Sequence, residues 1–291
     1  MTLTVLFWNL NIVKGDDPRK LNTNAEASAI LADVVRGYEV DVIVLAECAI
    51  PGAFLRDALK AVDPGFVIPR EVGKGKRAQF ITRLSDGELK PWESDGRLDI
   101  RRLRLPGRVD ILLAAFHYLD RRNNSRNQQW NSLDWPHRQT LLAAETKAKH
   151  DRTVLFGDLN MNPFEPGMLD HKKGLGAMMT WDLAEVHSRA EGRIGPRFYN
   201  PMWSVMGRLD IPGTYYWGDD DPENPYWHCL DGVLVRPSLR GAFRDEDVQI
   251  LRWVPRSDGT RLDLIRLAEV HWKIAVSDHL PILFQLTPPK Q

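Results

Sequence analysis

The 291-residue chain balances 39 Lys+Arg against 39 Asp+Glu, a zero net charge that argues against a nucleic-acid coat protein but leaves room for a local basic patch. With 43% hydrophobic and 27% charged residues, the composition is that of an ordinary globular protein, long enough to bury a large core without staples. Cys48 and Cys229 lack zinc-finger spacing, no apolar run approaches the ~18 residues of a membrane span, and "MTLTVLFWNLN" has no basic leader, so a cytoplasmic protein with reduced thiols is expected.

In chain order, "LTVLFWNL" (3–10) is dense in β-formers and predicts a buried strand. Residues 23–38 place apolar side chains at helical spacing, with Asn24 as a candidate N-cap and Gly37 at the far end. "DVIVLAE" (41–47) predicts a second buried strand that ends in an acid, and 51–62 a helix. "GFVIP", "RAQFITRL", "LDIRRLRL" and "VDILLAAFHY" read as successive strands joined by Gly, Pro and Asp turns. A helix over 138–150 and a strand at "TVLFGDLN" follow. Residues 192–226 are rich in Gly, Pro and Asp yet carry many aromatics, including Trp203 and Tyr216, and predict long ordered loops. Strands return at "WHCLDGVLVRP", "DVQILRW" and "LPILFQL". With no repeat and no linker, one α/β domain of mixed sheets over 1–291 is the simplest architecture.

One pattern recurs at the strand ends. Asn9 and Asn11 lie in the first strand, Glu47 ends the second, His117 ends "ILLAAFH", and Asp158 and Asn160 follow "VLFG". Asp231 sits in "CLDGVLV", and Asp278 and His279 introduce the last strand. Any one of them suits a turn or a hydrogen-bonded core position. Together, each an Asn, Asp, Glu or His, they are much harder to explain in that way. Asp158 and Asn160, two positions apart in an extended segment, are expected to point the same way.

The ordered set "FWNLN", "AE", "FHY", "GDLNMNP", "LDGVLV" and "SDHLP" resembles the endonuclease/exonuclease/phosphatase superfamily, the fold of pancreatic deoxyribonuclease, from residue 5 to about 286. "FYNPMWSVMG" and "PGTYYW" resemble an uncharacterised bacterial branch of it. The resemblance implies a four-layer α/β/β/α sandwich of two mixed, largely antiparallel sheets with helices outside. It also implies a phosphoesterase that uses a divalent cation, Mg2+ or Mn2+. By resemblance Glu47 is the metal-binding acid, completed by Asn9 or Asn11 and by Asp278. Asp158 orients the attacking water and Asn160 donates to the phosphate. His279, backed by Asp231, binds the phosphate or takes a proton, and His117 serves the leaving group. Two departures stand out. Ala46 replaces the glutamine that often precedes the metal acid, and only Gln79 lies near where a glutamate would back His117.

"VSDH" is no hydrolase triad, because adjacent residues cannot line up in that way. Arg121, Arg122 and Arg126 form either a solvated loop or a grip on a polyanion. Trp203, Tyr216 and the other aromatics either pack their loop or stack bases. Three functions are weighed: a nuclease on DNA or RNA, a phosphatase or phosphodiesterase on a small or lipid-linked phosphate, and a silent binding module. The intact polar set speaks against the last. No protein partner is evident.

Overall fold

The structure is a computed structural model that describes residues 2–12, 23–70, 77–120, 123–186, 197–207, 210–211, 213–217, 227–265 and 277–291. One sheet has the order β13 (Val248–Ile250), β16 (Ile282–Leu286), β1 (Leu3–Ile12), β2 (Val42–Cys48), β3 (Ala78–Thr82). The other runs β4 (Leu89–Ser94), β5 (Leu98–Leu103), β6 (Ile111–His117), β7 (Thr153–Asp158), β12 (Asp231–Val235), β9 (Phe198–Tyr199), β8 (Ala177–Met178). Two small antiparallel pairs join β10 (Tyr215–Tyr216) to β11 (Trp227–His228) and β14 (Trp253–Pro255) to β15 (Arg261–Asp263). Within the large sheets β1–β2, β6–β7 and β8–β9 are parallel, and the other pairs are antiparallel.

Parallel neighbours cannot be joined by a hairpin and need a crossover. Helix α1 (Thr23–Tyr38) lies in the first crossover, and α3 (Arg126–Ser132) and α4 (Gln139–Ala148) lie in the second. Helix α2 (Gly52–Lys60) precedes β3, and the short α5 (Pro166–Leu169), α6 (Trp181–Glu185) and α7 (Met202–Met206) lie between β7 and β12.

The period of two in each strand sorts its side chains onto two faces. Val5 and Phe7, Leu113 and Ala115, Val154 and Phe156, and Val233 and Val235 belong to the core that contains the space between the sheets. There the Phe156 ring meets Phe284 at 5.0 Å and Phe7 at 6.4 Å, edge to face. The alternate residues Leu112, Ala114, Phe116, Leu155 and Leu234 pack with Leu141, Ala144 and Ala148 of α4 in a second core. Ile30, Leu31 and Val34 of α1 and Leu55 and Leu59 of α2 cover the first sheet. The expected four layers are present.

Three local differences have physical causes. β4 was not expected, because "LKPWES" carries a proline and two charges. It is an edge strand, where proline is tolerated, and its register shifts between Pro91 and Glu93. Among the described residues "GFVIP" makes only the single bridge Val67–Thr82. The segment after His117 is not all loop, because Ser125 and Gln128 close a capping box that starts α3. Of 192–226, residues 192–196, 208–209, 212 and 218–226 lie outside the described residues, and the remainder holds β9, α7 and β10.

Gly157 is required by close approach. Its φ is +142°, and a Cβ there would fall 2.0 Å from the Phe116 carbonyl oxygen on the parallel neighbour. Gly157→Ala is expected to destabilise the fold by more than about 4 kcal/mol, read as a lowered urea midpoint.

Candidate active site

The inward row of each central strand is apolar until its last position and then turns polar. Val5 and Phe7 give way to Asn9, Leu113 and Ala115 to His117, Val154 and Phe156 to Asp158, and Val233 to Asp231. Register then brings three of these side by side, since His117 pairs with Asp158 and Asp158 with Asp231. All four side chains are buried. The polar group thus sits at one end of the inter-sheet core.

The last strand supplies the facing wall. His279 Nδ1 lies 2.8 Å from Asp231 Oδ2, which fixes the proton on Nδ1 in the neutral tautomer. The backbone around His279 is clamped. Its N–H donates to Ser277 Oγ (2.9 Å), Ser277 Oγ donates to the Asn9 carbonyl (2.6 Å), and Trp8 Nε1 donates to the His279 carbonyl (2.8 Å). The Tyr215 ring lies 4.6 Å from the imidazole, and Thr214 Oγ1 accepts from the Asp231 N–H. Ser277, Thr214, Tyr215 and Trp8 hold the Asp231–His279 pair in place, and the sequence reading did not assign them. The "SDH" spacing carried the signal for Ser277, but a triad was the wrong geometry to test for.

Asn9 Nδ2 donates to Asp158 Oδ2 at 3.0 Å, and the Asn160 N–H donates to Asp158 Oδ1 at 3.0 Å. Asn160 Nδ2 donates to the Tyr118 carbonyl, and its own carbonyl accepts from Gln129 Nε2, both at 3.2 Å. Asn160 has φ +52°, so the segment is a turn and not extended. The two residues are linked by the Asn160 backbone N–H, while the Asn160 side-chain amide is on the Tyr118 carbonyl, so the expected strand alternation does not relate them. Asn11 (φ +47°) and Glu47 (φ +44°) are also left-handed. Three site residues thus hold a backbone that costs about 1–2 kcal/mol each for a side-chain-bearing residue. Asn160→Gly is therefore expected to be more stable than Asn160→Ala by about 1 kcal/mol in urea unfolding.

Asn11 Nδ2 lies 3.0 Å from both Asp278 oxygens, and Asn9 Oδ1 accepts the Asn11 N–H. Glu47 Oε1 lies 3.1 Å from His117 Nε2, and Asp158 Oδ2 lies 3.7 Å from the same nitrogen. His117 Nδ1 is buried without a hydrogen-bond partner among the described residues. Gln79 does not fill that role, since its amide lies against Gly52.

Burial and then the Asp231 carboxylate push the Asp158 pKa up to about 6, against the pull of His279, His117 and the Asn9 amide. Burial opposes a charge on His279, yet Asp231, Asp158 and Asp278 outweigh it and raise its pKa to about 10. Asp231 Oδ1 is buried with no partner among the described residues. This surplus of negative charge fits a divalent cation.

One clustered donor set and two further carboxylates could serve a cation. One ligand atom each from Asp158, Asp231 and His279 lie within 4.8 Å of one another, but Asp231 Oδ2 and His279 Nδ1 are already engaged with each other. Glu47 and Asp278 offer oxygen alone, and the Glu47 side chain is 30% exposed. Magnesium takes oxygen ligands and keeps several waters, so the carboxylates suit it better than the imidazole does.

Among the remaining sequence candidates, Tyr216 sits at the site. Its N–H donates to the Asp278 carbonyl at 2.9 Å, and its ring lies 5.3 Å from Trp227. Trp203 is half-buried on α7, and Arg126 is exposed on the first turn of α3. No contact between either residue and the polar set is seen among the described residues. Arg121 and Arg122 lie outside the described residues. No helix among the described residues is long and apolar enough to cross a membrane.

A protein of this fold from Bacteroides thetaiotaomicron, described as an endonuclease/exonuclease/phosphatase family protein, superposes with a TM-score of 0.57 at 16% identity, covering 98% of each chain. D. rerio TDP2 complexed with single strand DNA product gives 0.52 at 16% identity over 98% of this chain and 99% of that one. The 3' phosphatase NExo from Neisseria, bound to product DNA hairpin, gives 0.50 at 14% identity over 98% and 99%. No curated protein matches the sequence. The profile of the Endonuclease/Exonuclease/phosphatase family matches residues 6–279, and the chain belongs to that family.

Proposed function

We propose that the chain is a single-domain, divalent-cation-dependent phosphodiesterase that hydrolyses DNA or RNA by in-line attack of water. The observation that carries this reading is the Asp231–His279 pair set beside Asp158 and Asn9 at one end of the inter-sheet core. Glu47 and Asp278, with Asn9 and Asn11 beside them, would hold the cation, Mg2+ or Mn2+, whose chemistry is to neutralise charge on the phosphate oxygens.

Asp158 is the acceptor for the proton of the attacking water. Its oxygens are held by the Asn9 amide and the Asn160 N–H, which fix its plane. His279 presents Nε2 to a non-bridging phosphate oxygen as a donor, with Nδ1 anchored by Asp231. A donor kept protonated by neighbouring carboxylates suits that role better than a base does. The second amide hydrogen of Asn160 serves the same phosphate. His117, held by its ring contact to Glu47, stands on the leaving-group side.

A small or lipid-linked phosphate is the second reading, because this fold hosts both kinds of substrate. Incubation with plasmid, single-stranded DNA and RNA in Mg2+, with an EDTA control, separates them. Strand cleavage that EDTA stops supports the nuclease. Turnover of a small phosphate ester without strand cleavage supports the alternative. No turnover of any ester would leave only a binding module.

A further inference from the structure

A second Asp–His pair lies outside the polar set at the strand ends. Asp95 Oδ2 is 2.8 Å from His137 Nδ1, and the His137 and Asp95 side chains are only 9% and 8% exposed. A carboxylate can only accept, so Nδ1 carries the proton. Burial works against the Asp95 charge, yet the His137 bond and then the Leu98 and Arg97 N–H groups hold its carboxyl below the usual range.

The pair stands behind His117. The His117 ring turns toward Glu47 and Asp158, whereas its neighbours Phe116 and Tyr118 turn the other way, into the second core. The His137 ring lies 5.3 Å from Phe116 and 5.5 Å from Tyr118, so it bears on both residues that flank His117. Asp95 holds the adjoining chain. Its Oδ1 accepts the N–H groups of Arg97 (3.0 Å) and Leu98 (2.9 Å). The His117 N–H in turn donates to the Arg97 carbonyl at 3.1 Å, and Arg97 Nη1 donates back to the His117 carbonyl at 3.4 Å. Oδ1 alone would make that turn. Oδ2 ties it to the segment Leu133–Arg138 between α3 and α4.

His117 depends on such support more than His279 does. Asp231 anchors Nδ1 of His279, but Nδ1 of His117 is buried with no hydrogen-bond partner among the described residues. A ring without an anchor on that nitrogen keeps its direction through its backbone and its packing.

We infer that Asp95 and His137 are positioning residues for His117, which act through the chain to set the distance from its imidazole to the leaving oxygen. Neither touches the substrate. This rests on the leaving-group role of His117 in the reading above and deepens it by naming what holds that group in place. A shift of about 1 Å in such a group costs about a hundredfold in rate.

The test compares the wild type with His137→Phe, which keeps a ring but strips Asp95 Oδ2 of its donor, and with His137→Asn, whose amide nitrogen falls where Nδ1 was. His137→Gln, whose amide falls at the Nε2 position, stands in should the phenylalanine variant not fold. His117→Ala and the double variant His117→Ala/His137→Phe complete the set, and urea midpoints establish that each is folded under assay conditions. Two substrates differ in leaving group. Bis(4-nitrophenyl) phosphate releases a stable phenolate that needs little help, and a labelled single-stranded oligonucleotide releases a sugar oxygen that must gain a proton. His137→Phe should lower kcat on the oligonucleotide by about thirtyfold with KM little changed, and on bis(4-nitrophenyl) phosphate by less than about threefold. His137→Asn should recover most of the loss, and the double variant should be no slower than His117→Ala alone. An equal loss on both substrates, a double variant whose loss is the product of the single ones, or an asparagine variant as slow as the phenylalanine one would overturn the positioning role. Imidazole 1H–15N spectra report independently of turnover. The His117 ring signals should shift in His137→Phe and return in His137→Asn, and unmoved signals would overturn the inference. A wild type that cleaves bis(4-nitrophenyl) phosphate but not the oligonucleotide would refute the nuclease reading, while the spectra would still judge the pair.

Discussion

His279→Ala should lower kcat on a phosphodiester by about a thousandfold, the scale lost when a positioned donor or proton-transfer group is removed. It should also cost stability, because Asp231 is buried and its Oδ2 bonds the imidazole at 2.8 Å. With the imidazole gone, Asp231 keeps no partner for either oxygen among the described residues and faces Asp158 across the strand pair. Breaking a buried pair from one side costs about 3–5 kcal/mol. Asp231→Asn combined with His279→Ala removes the stranded charge, so the double variant should unfold at higher urea than His279→Ala alone while remaining as inactive. Strictly additive urea midpoints would show that the two residues do not act as a pair.

Glu47→Gln should separate metal binding from folding. Glutamine keeps an oxygen to accept from His117 but loses the charge that holds a cation. Wild-type protein saturated with Mg2+ at a hundred times its Kd should gain about 2.7 kcal/mol, seen as a raised Tm. The variant should lose most of that gain and at least about a hundredfold in kcat. In EDTA its Tm should match or exceed the wild type, because one charge has left a pocket crowded with carboxylates. A variant with the full Mg2+-dependent Tm shift would place the cation elsewhere, on the Asp158, Asp231 and His279 side.

Much of this site was legible in the sequence because polarity interrupts a strongly apolar pattern. Asn9, His117, Asp158 and Asp231 each break the inward row of a strand whose other inward residues are aliphatic or aromatic. A lone break of that kind is ambiguous, and the ordered set is what carried both the fold and the family.

What was not legible depends on register and backbone conformation. That His117, Asp158 and Asp231 are neighbours across three strands follows from the β6–β7 and β7–β12 alignments, which no local pattern encodes. The left-handed backbone at Glu47 has no signal in a glutamate, and at Asn11 and Asn160 the only signal is the tolerance of asparagine for that region. The Asp158–Asn160 spacing was therefore explained by the wrong geometry, since the two are joined by the Asn160 N–H and the Asn160 side-chain amide is on the Tyr118 carbonyl. Helix α3 was hidden by a run of Asn, Arg and Ser, yet Ser125 and Gln128 did carry the capping signature.

The most direct test of the central claim is the release of 4-nitrophenolate from bis(4-nitrophenyl) phosphate by pure protein in Mg2+, alongside Asp158→Asn and an EDTA control. The polar ends of the strands are argued to act as one phosphoester site, so turnover should be present in the wild type and abolished both by chelation and by the substitution. Turnover that survives EDTA, or that Asp158→Asn leaves intact, would contradict it.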